Sequence, residues 1–286
     1  MHGNVVAMSD EPASTLLAGV AEHRVGEHLC KVLANAAVNA DYRHLRLAAP
    51  PAALTARPGQ FFHLLCPAGA SGTPFLRRPM SVYEVNAAAG EIAFLYKVHG
   101  EGTRALATLR PGDVLDAAGP LGRGFTIDPA WHRILLVGRG VGLATLAPLA
   151  VVAAAQGIGV TALLSVRRPD LVMSVALLEA IGAEVHVVHD ADGSSEVRAV
   201  ERRLEQMIAA APVDAVFTCG SARLLTLLQR FVAAHGLIGE VALEQQMACG
   251  LSMCFCCVRP FRVGDLVEHR RVCWEGPVFD LMEAMP

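Results

Sequence analysis

Hydrophobic and polar positions divide this chain into regimes of different period. From about Cys30 to Asp128 the apolar or alternating runs are short: "LRLAAP", "FFHLLCP", "MSVYEVN" and "EIAFLYKVH". Gly/Pro clusters such as "ARPGQ", "AGASGTP" and "LRPGDV" separate them. Short strands with turns at this spacing predict an antiparallel β-barrel or sandwich. From Trp131 the period changes. "RILLVG", "GVTALL", "EVHVVHD" and "DAVFTC" read as buried strands, and "EVRAVERRLEQMIAA" and "ARLLTLLQRFVAAH" as helices. That alternation predicts a parallel sheet with crossover helices. Residues 1–28 carry no such pattern and read as an extension, with one short helix near Thr15 to Val20. The expected division is therefore an extension (1–28), a β-barrel (29–130), a Rossmann-like α/β domain (131–240) and a small cysteine-bearing domain (241–286).

Composition narrows the function. A formal net charge of −3 over 286 residues lacks the basic excess of a nucleic-acid binder. The uncharged stretch from Val141 to Val166 is long enough to suggest a membrane span, but Pro148, Gln156, Gly157 and Gly159 break it into helix, turn and strand. No cationic, apolar leader opens the chain, so the expected location is cytoplasmic. In a reducing compartment, clustered thiols point to metal or redox chemistry rather than to disulfides.

The candidate chemistry falls in five strings. "VGRGVGLA" sets Gly138, Gly140 and Gly142 between a strand and a helix, where backbone can approach a pyrophosphate at a helix N-terminus. The string is G-x-G-x-G and by itself is equally an ordinary tight turn. "TCGSARLL" ends a strand with Cys219 and Gly220; this is where α/β sheets bind ligands, or else Cys219 is a small buried residue. "LRRPMSVYE" offers Arg77, Arg78 and Ser81 to a diphosphate and a ring edge, and "VHGEGTRAL" offers Gly100, Gly102 and Thr103 to phosphate. Both strings also suit plain turns.

The fifth string, "EQQMACGLSMCFCCVRP", holds four of the chain's eight cysteines. Cys249, Cys254 and Cys257 form C-x4-C-x2-C, and Cys273 follows in "RRVCWEGP". This is the ligand spacing of plant-type 2Fe–2S ferredoxins. Structural zinc competes, but it usually takes two C-x2-C pairs. Cys256 reads as a packing residue, and Cys30 and Cys66 as barrel core. A nicotinamide donates two electrons and a 2Fe–2S centre accepts one, so the two together call for a flavin between them.

In this order the motifs "PGQFF", "LRRPMSVYE", "GEGTRAL", "GPLGRGF", "RILLVGRGVGLATLAPL", "TCGSARLL", "MACGLSMCFCCV" and "RRVCWEGPVFD" resemble the electron-transfer subunits of class B dihydroorotate dehydrogenases, within the ferredoxin–NADP reductase superfamily. The resemblance spans about residues 30–286. It implies an antiparallel FAD-binding β-barrel, with Arg78, Pro79, Met80 and Ser81 matching the flavin string, Arg78 on the diphosphate and Ser81 near the ring system. Gly100, Gly102 and Thr103 match the phosphate loop. Gly138, Gly140 and Gly142 would bind NADH, with Cys219 and Gly220 beside the nicotinamide, and Cys219 and Ser81 would position the reacting groups. Cys249, Cys254, Cys257 and Cys273 match the 2Fe–2S ligands. The implied partner is an FMN-containing catalytic subunit that interconverts dihydroorotate and orotate in pyrimidine synthesis, joined in a hetero-oligomer. Arg167 and Arg168 after the second α/β strand leave NADPH open. The same architecture serving another acceptor (a sulfur reductase, hydrogenase or corrinoid-activating system) is the alternative.

Overall fold

A computed structural model of the chain describes residues 25–69 and 72–286. The helix expected near Thr15 to Val20 lies outside the described residues. Seven strands form the first sheet: β1 (Gly26–Ala37), β2 (Tyr42–Ala48), β3 (Phe61–Leu64), β4 (Arg78–Ser81), β5 (Glu84–Asn86), β6 (Glu91–Lys97) and β7 (Val114–Leu121). Their order is β4-β3-β7-β1-β2-β6-β5 and every pairing is antiparallel. The sheet curls around a core of Val32, Leu45, Leu47, Phe62, Leu64, Phe94, Tyr96 and Leu115. Cys30 and Cys66 are buried in the same core. The short helix α1 (Glu101–Leu106) follows β6.

Two of these strands are not marked by the hydrophobic pattern. β1 begins at Gly26, within the stretch that reads as extension, and alternates buried Cys30 and Val32 with exposed Leu29. β7 contains Gly119 and Pro120, which disfavour a strand locally. Pairing with β1 and β3 holds it extended all the same. "MSVYEVN" is divided between β4 and β5.

The second sheet carries β8 (Arg133–Arg139), β9 (Gly159–Val166), β10 (Glu184–His189), β11 (Ala215–Cys219) and β12 (Ile238–Ala242) in parallel. Three helices connect them besides the short α3 (Val175–Ala180): α2 (Gly142–Ala155), α4 (Val197–Ala210) and α5 (Ala222–His235). Alternation along β8 sends Ile134 and Leu136 to the α2 side and Leu135 and Val137 to the α4/α5 side. A strand buried on both faces reads as a continuous apolar run, which is why "RILLVG" is legible. α4 buries Val200, Leu204 and Met207, spaced four and three residues apart, as a surface helix does. Among the described residues no helix is long and apolar enough to cross a membrane.

The tail completes the molecule. β13 (Val258–Val263) and β14 (Leu266–Arg271) form a hairpin, and β15 (Val278–Asp280) returns to pair antiparallel with β12. The sheet order is β10-β9-β8-β11-β12-β15. Strand order reverses between β8 and β11, and at such a point a crevice opens beyond the carboxyl ends of the strands.

Candidate functional site

The crevice at that switch point is built by backbone contact. Gly142 opens α2 so close to β11 that a Cβ there would lie 2.4 Å from the Cys219 carbonyl oxygen and 2.8 Å from the Gly220 nitrogen. Only glycine lets the helix start against the strand end. Gly138, one residue before the end of β8, pairs in register with Cys219. Gly140 lines a cleft of about 210 Å³ with Tyr42, Lys97, Arg139, Arg167 and Gly220. Arg139 donates to Ser165 Oγ (2.7 Å) and to Asp190 (2.7 Å). Arg167 faces this cleft, whereas Arg168 is engaged by Asp170 at 3.0–3.1 Å.

Between the two sheets lies a cavity of about 250 Å³. Phe61, Pro79, Met80, Ser81 and Lys97 line it from the first sheet, and Val141, Ala144 and Thr145 from the start of α2. A larger cleft of about 1020 Å³ continues past Arg77, Arg78 and Glu101 to Gln246 and Cys256. The two arginines divide their work. Arg77 makes a two-pronged pair with Asp116 (2.9 Å each) and a further bond to Glu27, tying β4 to β7 and β1. Arg78 lies over Gly102 at the start of α1. There Thr103 Oγ1 accepts from the backbone N–H of His99 and Gly100 at 2.8 and 3.0 Å.

Two residues that sequence reasoning missed knit these spaces together. Thr145 donates to Ser81 Oγ at 3.0 Å, so one hydroxyl links the first sheet to the start of α2. Burial, then the charge of Glu244, pushes the Cys219 thiol far above the ordinary range, so it stays protonated at neutral pH. Glu244 lines both cavities, the Gly140 cleft and a fourth pocket beside Cys219 and Arg259. Water reaches its carboxylate through these openings, yet protein rings it, and that desolvation raises its pKa. Its only sequence signal was its position at the head of the cysteine segment.

The cysteine loop is shaped by left-handed residues. Gly250, Ser252 and Phe255 have φ of 68°, 71° and 56°. The turn aims amides at sulfur: Leu251 N–H reaches Cys249 Sγ at 3.3 Å, and Cys273 N–H reaches Cys257 Sγ at 3.5 Å. Partial burial acts to raise the Cys249 thiol, but the amides of Leu251, Cys254 and Met253 and the Cys254 side chain bring it below the ordinary value. Cys273 is pushed up, first by burial and then by Cys257 beside it.

The hairpin explains how Cys273 joins from a distance. Val258 pairs with Arg271 across β13 and β14, and Val272 N–H bonds the Cys257 carbonyl at 3.1 Å. The four thiols thus gather: Cys254 lies beside Cys249, Cys257 beside Cys273, and Cys249 is near enough to act on the Cys273 thiol as well. Among the described residues no group of three or more His, Cys, Asp or Glu is arranged to hold a single metal ion. Cys257 and Cys273 are buried and Cys254 is exposed. Cys256 is not the packing residue expected: the protruding turn leaves it exposed on the wall of the large cleft.

Known proteins share this arrangement. Residues 29–125 match the oxidoreductase FAD-binding domain, and residues 244–284 match the iron–sulfur cluster binding domain of dihydroorotate dehydrogenase B. The dihydroorotate dehydrogenase B (NAD(+)) electron transfer subunit of Desulforamulus reducens is 32% identical over 87% of this chain and 94% of its own length. That of Bacillus caldolyticus is 36% identical over 78% and 84%. The solved NADH-dependent reduced ferredoxin-NADP oxidoreductase superposes with a TM-score of 0.73 at 27% identity, covering 89% of each chain. A siderophore utilization protein from T. fusca has a TM-score of 0.60 at 20% identity, covering 78% of this chain and 95% of its own, which is a likeness of fold alone. With a shared fold, both domain matches and a relative of this similarity along nearly its whole length, this chain belongs to the family of dihydroorotate dehydrogenase B electron transfer subunits.

Proposed function

We propose that this chain passes electrons between NADH and a separate catalytic subunit, through FAD and a 2Fe–2S centre, in the dihydroorotate–orotate step of pyrimidine synthesis. The observation that carries this reading is the gathering of four thiols, two of them met by backbone amides, in a segment that lines the large cleft through Cys256. Four such thiols match the donor set of a four-cysteine 2Fe–2S centre. The cavity fits a flavin ring: Phe61 and Met80 supply apolar walls, and Ser81 and Lys97 supply polar edges. When bound, the flavin takes a hydride from nicotinamide and releases single electrons, which the iron–sulfur centre carries onward.

The residues then have distinct tasks. Arg78, with Gly100, Gly102 and Thr103, holds the FAD diphosphate, and Pro79, Met80 and Ser81 hold its ring. Gly138, Gly140 and Gly142 receive the dinucleotide, and Cys219 and Gly220 border its nicotinamide. Cys219 stays a thiol and positions rather than transfers protons. Cys249, Cys254, Cys257 and Cys273 ligate the centre. On this reading residues 29–130 bind flavin, 131–240 bind nicotinamide and 241–286 bind the cluster. Arg167 in the dinucleotide cleft would also suit the extra phosphate of NADPH.

The partner is an FMN-containing catalytic subunit joined in a hetero-oligomer, and the complex is cytoplasmic. Its docking face is the cysteine loop. Leu251, Met253 and Phe255 stand 44%, 80% and 62% exposed around exposed Cys254, and clustered exposed apolar side chains mark an interface.

The test is an anaerobic visible spectrum with iron, zinc and FAD quantified, for the native chain and Cys254→Ser. The native chain is expected to carry FAD and two irons per chain, with bands bleached by NADH. Cys254→Ser is expected to lose the iron and transfer to the partner while NADH still reduces a small dye through the flavin. One zinc and no colour in the native chain, or equal loss of dye reduction in a folded, flavin-loaded variant, overturns the reading.

A further inference from the structure

His63 is a buried histidine without an assigned task. It lies on β3, opposite Pro79 of β4 and Ala118 of β7, and is 1% exposed. Neither ring nitrogen has a hydrogen-bond partner among the described residues. Buried polar groups in folded chains are almost always satisfied, so an imidazole with both nitrogens orphaned points to a partner other than the described residues.

The surroundings of the ring say what that acceptor is. A Cβ on Gly250 would lie 2.9 Å from His63 Nε2 and Cε1 and 3.1 Å from Nδ1, so the ring lies flat against the residue that follows Cys249. Phe61, two residues earlier on the same face of β3, has its ring 5.7 Å from that of His63. Phe61 also lines the cavity between the sheets and packs in one core with Met247, Cys257 and Cys273. One face of β3 therefore runs from the flavin cavity to the cysteine loop, with His63 at the loop end.

We propose that His63 donates a ring N–H hydrogen bond to a sulfur of the iron–sulfur centre beside Cys249 and thereby raises the reduction potential of that centre. The proposal rests on the iron–sulfur reading above. Reduction adds one electron and no bond changes. The added negative charge falls partly on sulfur, so a donor there favours the reduced form, as hydrogen bonds to cluster sulfurs do. The small Gly250 is what lets the ring approach.

The test uses the full chain purified with its iron. His63→Leu keeps the volume and removes the donor; His63→Gln restores one. Redox titration followed by EPR is expected to show the reduction equilibrium weakened about tenfold in His63→Leu, a fall of about 59 mV for one electron, with partial recovery in His63→Gln. Pulsed EPR of the reduced wild-type centre is expected to show a nitrogen coupling that changes on ¹⁵N-histidine labelling. A wild-type potential in iron-replete His63→Leu overturns the proposal, as does a spectrum indifferent to the label. If His63→Leu fails to load iron, the labelled wild-type protein decides alone. A wild-type chain that binds no iron refutes the cofactor reading, and this proposal with it, and iron analysis tells that outcome from the others.

Discussion

Replacing Gly142 with alanine tests the crevice at its tightest point. The added methyl would lie 2.4 Å from the Cys219 oxygen, 2.5 Å from the Cys219 carbonyl carbon and 2.8 Å from the Gly220 nitrogen. All three atoms are backbone, so no side chain can swing away. Ordinary contact needs roughly 1 Å more, and α2 must back off from β11 by about that distance. Forced overpacking of this kind costs about 1–3 kcal/mol. At roughly 2–4 °C per kcal/mol for a chain of this order of size, Tm is expected to fall by roughly 2–12 °C. Function is expected to suffer more than stability, because α2 also carries Ala144 and Thr145 into the cavity between the sheets. A 1 Å misplacement can cost on the order of 100-fold in rate. The assay is NADH-dependent dye reduction by flavin-loaded protein, alongside thermal unfolding. Gly157→Ala is the control: φ is 79° there but nothing lies within 4 Å. It should lose about 1–2 kcal/mol to backbone strain and keep its kinetics. Gly142→Ala with native Tm and native kcat/KM would refute the steric argument.

Thr145→Val preserves the shape of a 5%-exposed side chain but leaves Ser81 Oγ without its donor. A stability loss of about 1 kcal/mol and about a tenfold fall in the rate of flavin reduction by NADH are expected in stopped flow; a lower Tm with an unchanged rate would make Thr145 merely structural. Asp190 is held down at about 2 by hydrogen bonds from Arg139 and then Ser195. Its folded pKa lies below the unfolded one, so its contribution is complete above about pH 5 and is lost as pH falls towards about 2. The side chain is 44% exposed, so solvent screening limits that contribution to about 1 kcal/mol or less. Urea midpoints of Asp190→Asn should accordingly trail wild type at pH 7, and the gap should close as pH falls towards about 2; a gap independent of pH would contradict the assignment.

Local sequence alone carries the order of architectures and the candidate chemistry of the cysteines. β8, β9 and β11 announce themselves because strands covered on both faces must be apolar throughout. The C-x4-C-x2-C spacing is local, and a loop of nine residues brings its own thiols together. The rest depends on long-range packing. β1 and β7 are strands because partners pair with them, not because their own residues demand it. Thr145 and Ser81 lie far apart in sequence and meet only when α2 docks between the sheets. Cys273 reaches Cys257 because the β13–β14 hairpin folds its ends together. His63 meets Gly250 only when the tail closes over β3. Periodicity and short motifs record what a segment buries or binds on its own; contacts between distant segments depend on packing geometry, which no single stretch of residues encodes.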